Sequence, residues 1–393
     1  MMNNNFMFNM RTVILSGEDS INDIPDQLAA RGAHRVLLLS DIGLETVGLV
    51  NKLIGVFENN MQVELVGVYT DIKADAGCDD INKAVQYANK VKADSIVALG
   101  GGSVIDASKG IKYSLEHKLD DIREAIRGGG RIDVGSHVKP FTIPHIGVPT
   151  TAGTGAEASP IAVFFNDVEQ IKASLVVSGL ECDLAVLDPK LTLGLPIPLT
   201  VSTAMDALTH AIEAASSPMS NAFTDAYAVQ ASRLILDNLP IVVSDPNNIE
   251  ARTELLQAST MAISAFYSSL GGIPIHNCAH AFGAIAHIPH GDANSVLLPA
   301  VIEALPEFYL PSIDKLASIF GLSQTLTAEE KHREVVLSLR AFQVQVKAHQ
   351  TFNNWSLNTD TQSEIAQGIE KDMSFQFYAI PKHKIEQILA AIC

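Results

Sequence analysis

The sequence predicts an α/β amino-terminal half, built on a doubly wound and mostly parallel sheet, joined to an all-helical carboxyl-terminal half. Three observations carry this expectation. Across residues 35–150 short, wholly apolar runs alternate with amphipathic stretches, the pattern of strands covered on both faces by helices. From Thr200 onward apolar residues recur at helical spacing, as in DAYAVQASRLILDNL and TELLQASTMAISAFYSSL. A chain of 393 residues also exceeds the size at which one core keeps growing, so two domains are expected.

Taken in order, residues 11–16 read as an edge strand. RVLLLSD, VELVGVYT and SIVALGG read as central strands, with helices ETVGLVNKLIGVFENN and DDINKAVQYANKVKA between them. PFTIPHIGVPT and DLAVLDP extend the sheet, a Rossmann-like alternation. After Asp188-Pro189 the pattern changes, and the proline-bearing LTLGLPIPLT at 191–200 is the natural hinge. The expected domains are therefore 1–195, nucleotide-binding, and 196–393, helical and metal-binding. The Asn-rich first residues are expected to fray.

Composition removes several function classes. Hydrophobic residues at 47% and charged residues at 18% belong to a globular chain rather than a disordered one. A net charge of -17, with no Lys/Arg cluster to reverse it locally, repels phosphate backbones, so no nucleic-acid partner is expected. No apolar run reaches the roughly 18 residues needed to span a bilayer, and MMNNNFMFNM lacks the basic and apolar regions of a signal peptide. A cytoplasmic protein without a membrane partner is the expectation. Cys78, Cys182, Cys278 and Cys393 form no CxxC pair and read as reduced thiols.

LGGGSVIDASKG runs from a strand end through three glycines into an amphipathic helix. Side-chain-free backbone lets a ligand approach, and the free amides of a helix N-terminus attract anions. Gly100, Gly101, Gly102 and Ser103 are therefore candidate pyrophosphate contacts, although a tight turn without ligand uses the same residues. Asp41 closes the RVLLLSD strand, at the carboxyl end where an open α/β sheet binds ligands. A carboxylate there accepts from a ribose 2′-OH and repels a 2′-phosphate, favouring NAD over NADP; Asp is also a common turn residue. PTTAGTGAEAS at 149–159 is a second small, hydroxyl-rich turn suited to a diphosphate or a nicotinamide amide.

Four of twelve histidines, His276, His280, His287 and His290, fall within HNCAHAFGAIAHIPH. Asp206 and His210 in AMDALTHAIEA stand four apart, on one helical face. With His276 they make a carboxylate-imidazole set that suits Fe²⁺ or Zn²⁺ and disfavours Mg²⁺ or Ca²⁺. The fourth member stays open between His280 and His290. On an unbroken helix His276 and His290 would be roughly 21 Å apart, so His290 could join only if the chain turns at the flanking Pro289 and Gly291.

Together, GGGSVIDASK, PTTAGTGAEAS, AVLDPKLTLGLP, MDALTHAIEA and HNCAHAFGAIAHIPHGDAN resemble the iron-containing, group III alcohol dehydrogenases of the dehydroquinate synthase-like superfamily. The resemblance covers almost the whole chain. It implies a metal held by Asp206, His210, His276 and His290, with His280 beside the substrate in proton transfer. It implies cofactor contacts at Asp41, Gly101, Gly102, Ser103, Asp106, Thr150, Thr151 and Lys172, and a homodimer. The sequence departs from the family pattern at Ala156, at Ala204 and in TDIKADAGCDD, where an Asn-Pro stretch is usual.

The activity so implied is hydride transfer between a primary or secondary alcohol and NAD, or from NADH to an aldehyde or ketone. Three rival activities exist on this fold. A hydroxyacid-oxoacid transhydrogenase needs a basic anchor for the substrate carboxylate, and none is identified. A zinc-dependent, glycerol-type polyol dehydrogenase differs in substrate, and a dehydroquinate synthase-type lyase calls for several basic residues around a phosphate. A non-catalytic binding protein is disfavoured because every expected ligand is present.

Overall fold

The computed structural model describes residues 6–58, 60–135 and 137–393, so the Asn3–Asn5 run expected to fray lies outside them. The chain forms two compact units, Met10–Thr151 with Gly155–Gly194, and Ala152–Thr154 with Leu195–Cys393 and the described residues up to Asn9.

Among its described residues the first unit holds nine strands: β1 (Val13–Ser16), β2 (Arg35–Leu39), β3 (Glu64–Tyr69), β4 (Ser95–Gly100), β5 (Gly130–Asp133), β6 (His145–Pro149), β7 (Ile161–Asn166), β8 (Ile171–Val177) and β9 (Leu184–Leu187). Six of them form one sheet in the order β1-β9-β6-β4-β2-β3, parallel throughout. The uninterrupted apolar runs have a plain cause. Successive residues of a strand point to opposite faces, and here both faces are dry: Leu37, Leu39, Ile96 and Ala98 enter one core, Val36, Leu38, Val97 and Leu99 the other. Burying each such Leu or Ile contributes about 1.5–3 kcal/mol.

A second sheet, β5-β8-β7, was not anticipated. Its strand β7 alternates, burying Ala162, Phe164 and Asn166. Such a half-buried hairpin with β8 gives a weaker signal than the runs of the main sheet. Phe164 packs onto the helix Gly102–His117 at Gly110, where a Cβ would lie 2.9 Å from the Phe164 ring.

Among its described residues the second unit contains helices and no strand. At its centre runs Ile197–Ser216, buried on every side from Ala204 to Ser216, which explains its apolar composition all round. Around it pack Ala222–Ser244 and Ile249–Ser268, each opened by an asparagine cap, and His290–Ala304. No single described helix is long and apolar enough to cross a membrane.

Replacing Phe164 with Ala should lower stability by about 3–5 kcal/mol, seen as an earlier midpoint in urea unfolding followed by circular dichroism. An unmoved midpoint would mean that the small sheet contributes nothing to the stability of its unit.

Candidate active site

One face of the buried helix Ile197–Ser216 carries Asp206, His210 and Glu213, each a turn from the next. Two further helices supply His276 and His290. Pro274–Ala286 stops because His287 adopts a left-handed conformation at φ 53°, and Pro289 then redirects the chain so that His290 opens the helix His290–Ala304. The two imidazole centroids consequently lie 5.4 Å apart. Gly291 permits the approach to the Asp206 helix, for a Cβ there would sit 2.2 Å from the Ser202 carbonyl oxygen.

Asp206 Oδ1 lies 3.7 Å from His276 Nε2 and 3.5 Å from His290 Nε2. A tetrahedral ion with ligands at roughly 2.1 Å has donor atoms roughly 3.4 Å apart, so the spacing fits one divalent ion. The donor chemistry also fits: one carboxylate with imidazole nitrogens suits iron or zinc. His210 stands beside this trio, its ring stacked on His276 at a centroid distance of 4.6 Å and its buried Nδ1 without a hydrogen-bond partner. Burial lowers the His210 pKa to about 4, which keeps the ring neutral. Burial opposes ionisation of Asp206, but the imidazoles of His210, His290 and His276 outweigh it and hold its carboxyl well below the usual carboxylate range. Both groups are therefore in the forms that bind a metal.

Behind His276 stands Glu213. Its Oε2 accepts from His276 Nδ1 at 2.5 Å and its Oε1 accepts from the Ile275 amide at 2.6 Å. A carboxylate on Nδ1 orients the ring so that Nε2 faces Asp206. Burial disfavours a charged His276, yet Glu213 and Asp206 more than offset this and raise its pKa to about 9, so an ion binding at Nε2 displaces a proton from it. Asn294 Nδ2 donates to Asp206 Oδ1 at 2.7 Å, steadying the carboxylate from a third helix. His280, one turn beyond His276, keeps 43% of its side chain exposed and places its ring 5.8 Å from that of His290. His287 caps its helix and is exposed, and Cys278 is buried with its thiol pushed up by burial.

In the α/β unit, parallel pairing brings the carboxyl ends of β2, β3, β4 and β6 to one edge. Asp41, residues 70–74 and residues 101–104 line a cavity of about 600 Å³ there. The helix Gly102–His117 opens at this edge with no side chain capping its amides, which leaves them free for an anion. Gly100 turns tightly, since a Cβ would meet Val104 at 2.6 Å, and Gly101 faces Thr151. Thr150 donates its amide to the Gly100 carbonyl at 3.1 Å, holding the second hydroxyl-rich turn beside the first.

The remaining expected cofactor residues are each engaged with protein. Asp41 Oδ1 accepts from the Leu44 amide at 2.9 Å and caps the helix Ile42–Thr46, so it is a turn residue as well as a cavity wall. Asp106 accepts from Val163 N at 3.1 Å and from Lys109 Nζ at 3.3 Å, tying its helix to β7. Lys172 pairs with Asp75 at 2.6 Å, and Asp75 in turn donates its amide to Ser103 Oγ at 3.2 Å. Thus β8 is tethered to the glycine turn.

The sequence pattern described as "Iron-containing alcohol dehydrogenase" matches residues 11–189, and "Fe-containing alcohol dehydrogenase family, C-terminal" matches residues 200–393. The chain belongs to the iron-containing alcohol dehydrogenase family. It is 34% identical over 300 residues to the probable alcohol dehydrogenase EutG of Escherichia coli K12, covering 75% of this chain and 72% of that protein. It is 32% identical over 302 residues to the NAD-dependent methanol dehydrogenase of Bacillus methanolicus, covering 76% and 74% respectively. A solved 1,3-propanediol oxidoreductase superposes with a TM-score of 0.89 at 28% identity, over 98% of this chain and 99% of the other. As a member of this family the protein is an oxidoreductase that interconverts alcohols and carbonyl compounds, using a metal ion and a nicotinamide cofactor.

Three residues of this alcohol dehydrogenase escaped the sequence reading: Glu213, Asn294 and Asp372, whose carboxylate meets His280. Glu213 left a signal, since it continues the Asp206-His210 face at helical spacing. Asn294 likewise follows His290 by one turn. Asp372 left none, being 92 residues from its partner.

Exchanging Glu213 for Gln is expected to weaken metal retention by roughly 10- to 100-fold, measured by competition with a chelator. Retention equal to wild type would mean that the His276 tautomer is set by something other than Glu213.

Proposed function

We propose that this enzyme transfers a hydride between a small primary or secondary alcohol and NAD, with Fe²⁺ held by Asp206, His210, His276 and His290. Zn²⁺ suits the same donor set and is the alternative metal. The observation that carries the reading is the meeting of Asp206, His276 and His290 donor atoms within 4.8 Å of one another, although the residues come from three helices. Residues 196–393 are taken as the metal-binding domain and 1–195 as the nucleotide-binding domain. By family resemblance the enzyme acts as a homodimer, and its dispersed cysteines favour the cytoplasm.

When bound, the divalent ion supplies Lewis acidity to the substrate oxygen and the nicotinamide takes or returns the hydride. The chain's own residues do the rest. Asp206 and the imidazoles hold the ion site, Glu213 keeps His276 Nε2 directed at it, and Asn294 restrains the Asp206 carboxylate. His280 moves the alcohol proton: with Nδ1 engaged by Asp372, its Nε2 is the acceptor, and its half-exposed ring can release the proton to water.

On the nucleotide side, Gly100, Gly101, Gly102 and Ser103 with the uncapped helix amides receive the pyrophosphate, and Thr150 and Thr151 flank it. Asp106 and Lys172 shape this site through β7 and through Asp75. Asp41 accepts from the adenosine ribose. An antiparallel bridge sets Asp71 directly opposite Asp41, so a second carboxylate faces the same way and adds to the repulsion of a 2′-phosphate. NAD is therefore favoured over NADP.

His290→Ala should lose bound metal and activity together, whereas His280→Ala should keep its metal and turn over roughly 100-fold more slowly. Metal analysis beside steady-state rates checks both, and equal metal content in wild type and His290→Ala would sink the ligand assignment. Asp41→Gly should raise the ratio of kcat/KM for NADP to that for NAD by removing charge repulsion. An unchanged ratio would leave Asp41 as a helix cap alone.

A further inference from the structure

We infer that Asp372 is the positioning residue for His280, holding its imidazole in the tautomer and orientation that leave Nε2 free to take the substrate proton. The inference rests on the proton-transfer role proposed above for His280 and extends it to a second residue. His280 Nδ1 and Asp372 Oδ2 are 3.1 Å apart. An imidazole whose Nδ1–H is donated to a carboxylate must present Nε2 as its lone-pair nitrogen. Without that partner, a side chain 43% exposed would exchange tautomers and rotate freely.

The carboxylate is itself held in place. Asp372 ends the helix Thr359–Lys371, and its side chain is only 21% exposed. Oδ1 accepts from the Ser374 amide at 2.8 Å and from the Ser374 hydroxyl, while Oδ2 is left to His280. The two oxygens thus have separate duties, and capping of the short turn Met373–Gln376 accounts for only one of them. The helices that carry the pair are packed closely for the purpose. A Cβ on Gly368 would lie 3.2 Å from the Ala281 Cβ and 2.8 Å from the Ile285 side chain. Gly368 therefore lets the Asp372 helix approach the His280 helix at the residue next to His280. Capping of the turn Met373–Gln376 suits an Asp at this position but engages Oδ1 alone, so the cap leaves the Oδ2 contact with His280 unexplained.

The test is a double-mutant cycle on the full-length, metal-loaded enzyme, with Asp372→Asn, His280→Ala and their combination. Asp372→Asn should lower kcat roughly tenfold, leave KM and metal content near wild type, and have no further effect in the His280→Ala background. Asp372→Glu should recover part of the rate because it restores the carboxylate. An unchanged kcat in Asp372→Asn, or the same fold-loss in both backgrounds, would overturn the positioning role. So would loss of metal or a collapsed melting transition in Asp372→Asn that Asp372→Glu fails to restore. If His280→Ala itself turns over at the wild-type rate with its metal retained, the role of His280 fails and the inference fails with it. That outcome is distinguishable from a slow His280→Ala beside a fast Asp372→Asn, which overturns Asp372 alone.

Discussion

The donor cluster depends on one buried contact, the Glu213 carboxylate on His276 Nδ1. Both side chains are almost completely buried, and a carboxylate taken out of water is tolerated only when paired and hydrogen-bonded. Glu213 meets that condition twice, through the imidazole and through the Ile275 amide at the start of the same helix. The contact therefore does two jobs: it docks the helix Pro274–Ala286 on the helix Ile197–Ser216, and it selects the His276 tautomer whose Nε2 faces Asp206. Removing one partner of a pair this deep costs about 3–5 kcal/mol because the other charge is stranded. Packing and ligand geometry are thus coupled in one hydrogen bond.

The α/β unit follows a different logic. The ion pair near its binding edge, Lys109 with Asp106, serves the scaffold rather than a donor cluster. Parallel register gathers the strand ends, and short side chains leave backbone amides uncovered. The polar groups nearby mostly serve the scaffold. Asp41 caps a helix, Asp106 ties a helix to β7, and Lys172 reaches the glycine turn only through Asp75. Such double use explains why a strand-end aspartate is hard to classify from sequence: the same carboxylate satisfies a turn and presents its remaining lone pairs to a ligand.

Much of this was legible because the relevant physics is local. Apolar runs over RVLLLSD and SIVALGG required two dry faces, and the sheet has them. The Pro289 and Gly291 flank of His290 required a break, and the helix does end and restart there. Asp206 and His210 had to share a face once they were on one helix. The β5-β8-β7 sheet was not legible, since strands with one wet face carry little apolar signal, and the pairing of β5 with β8 joins segments more than 40 residues apart. Asp372 was invisible for a related reason. Its meaning lies in the histidine opposite, and no spacing rule links residues brought together by helix packing.

The sequence by itself determined the class of the protein: the alternation of buried strands with helices, the glycine turn at a strand end, the Asp206-His210 pair and the family motifs are all properties of contiguous segments. Only the tertiary structure decided which side chains share a centre. It brought His290 to His276 across a helix break, set Glu213 behind one histidine and Asp372 behind another, and committed one oxygen of Asp41 to a cap. The reason is that hydrogen-bond partnership between buried groups depends on separations of a few ångströms between distant segments, and periodicity within a segment carries no information about those.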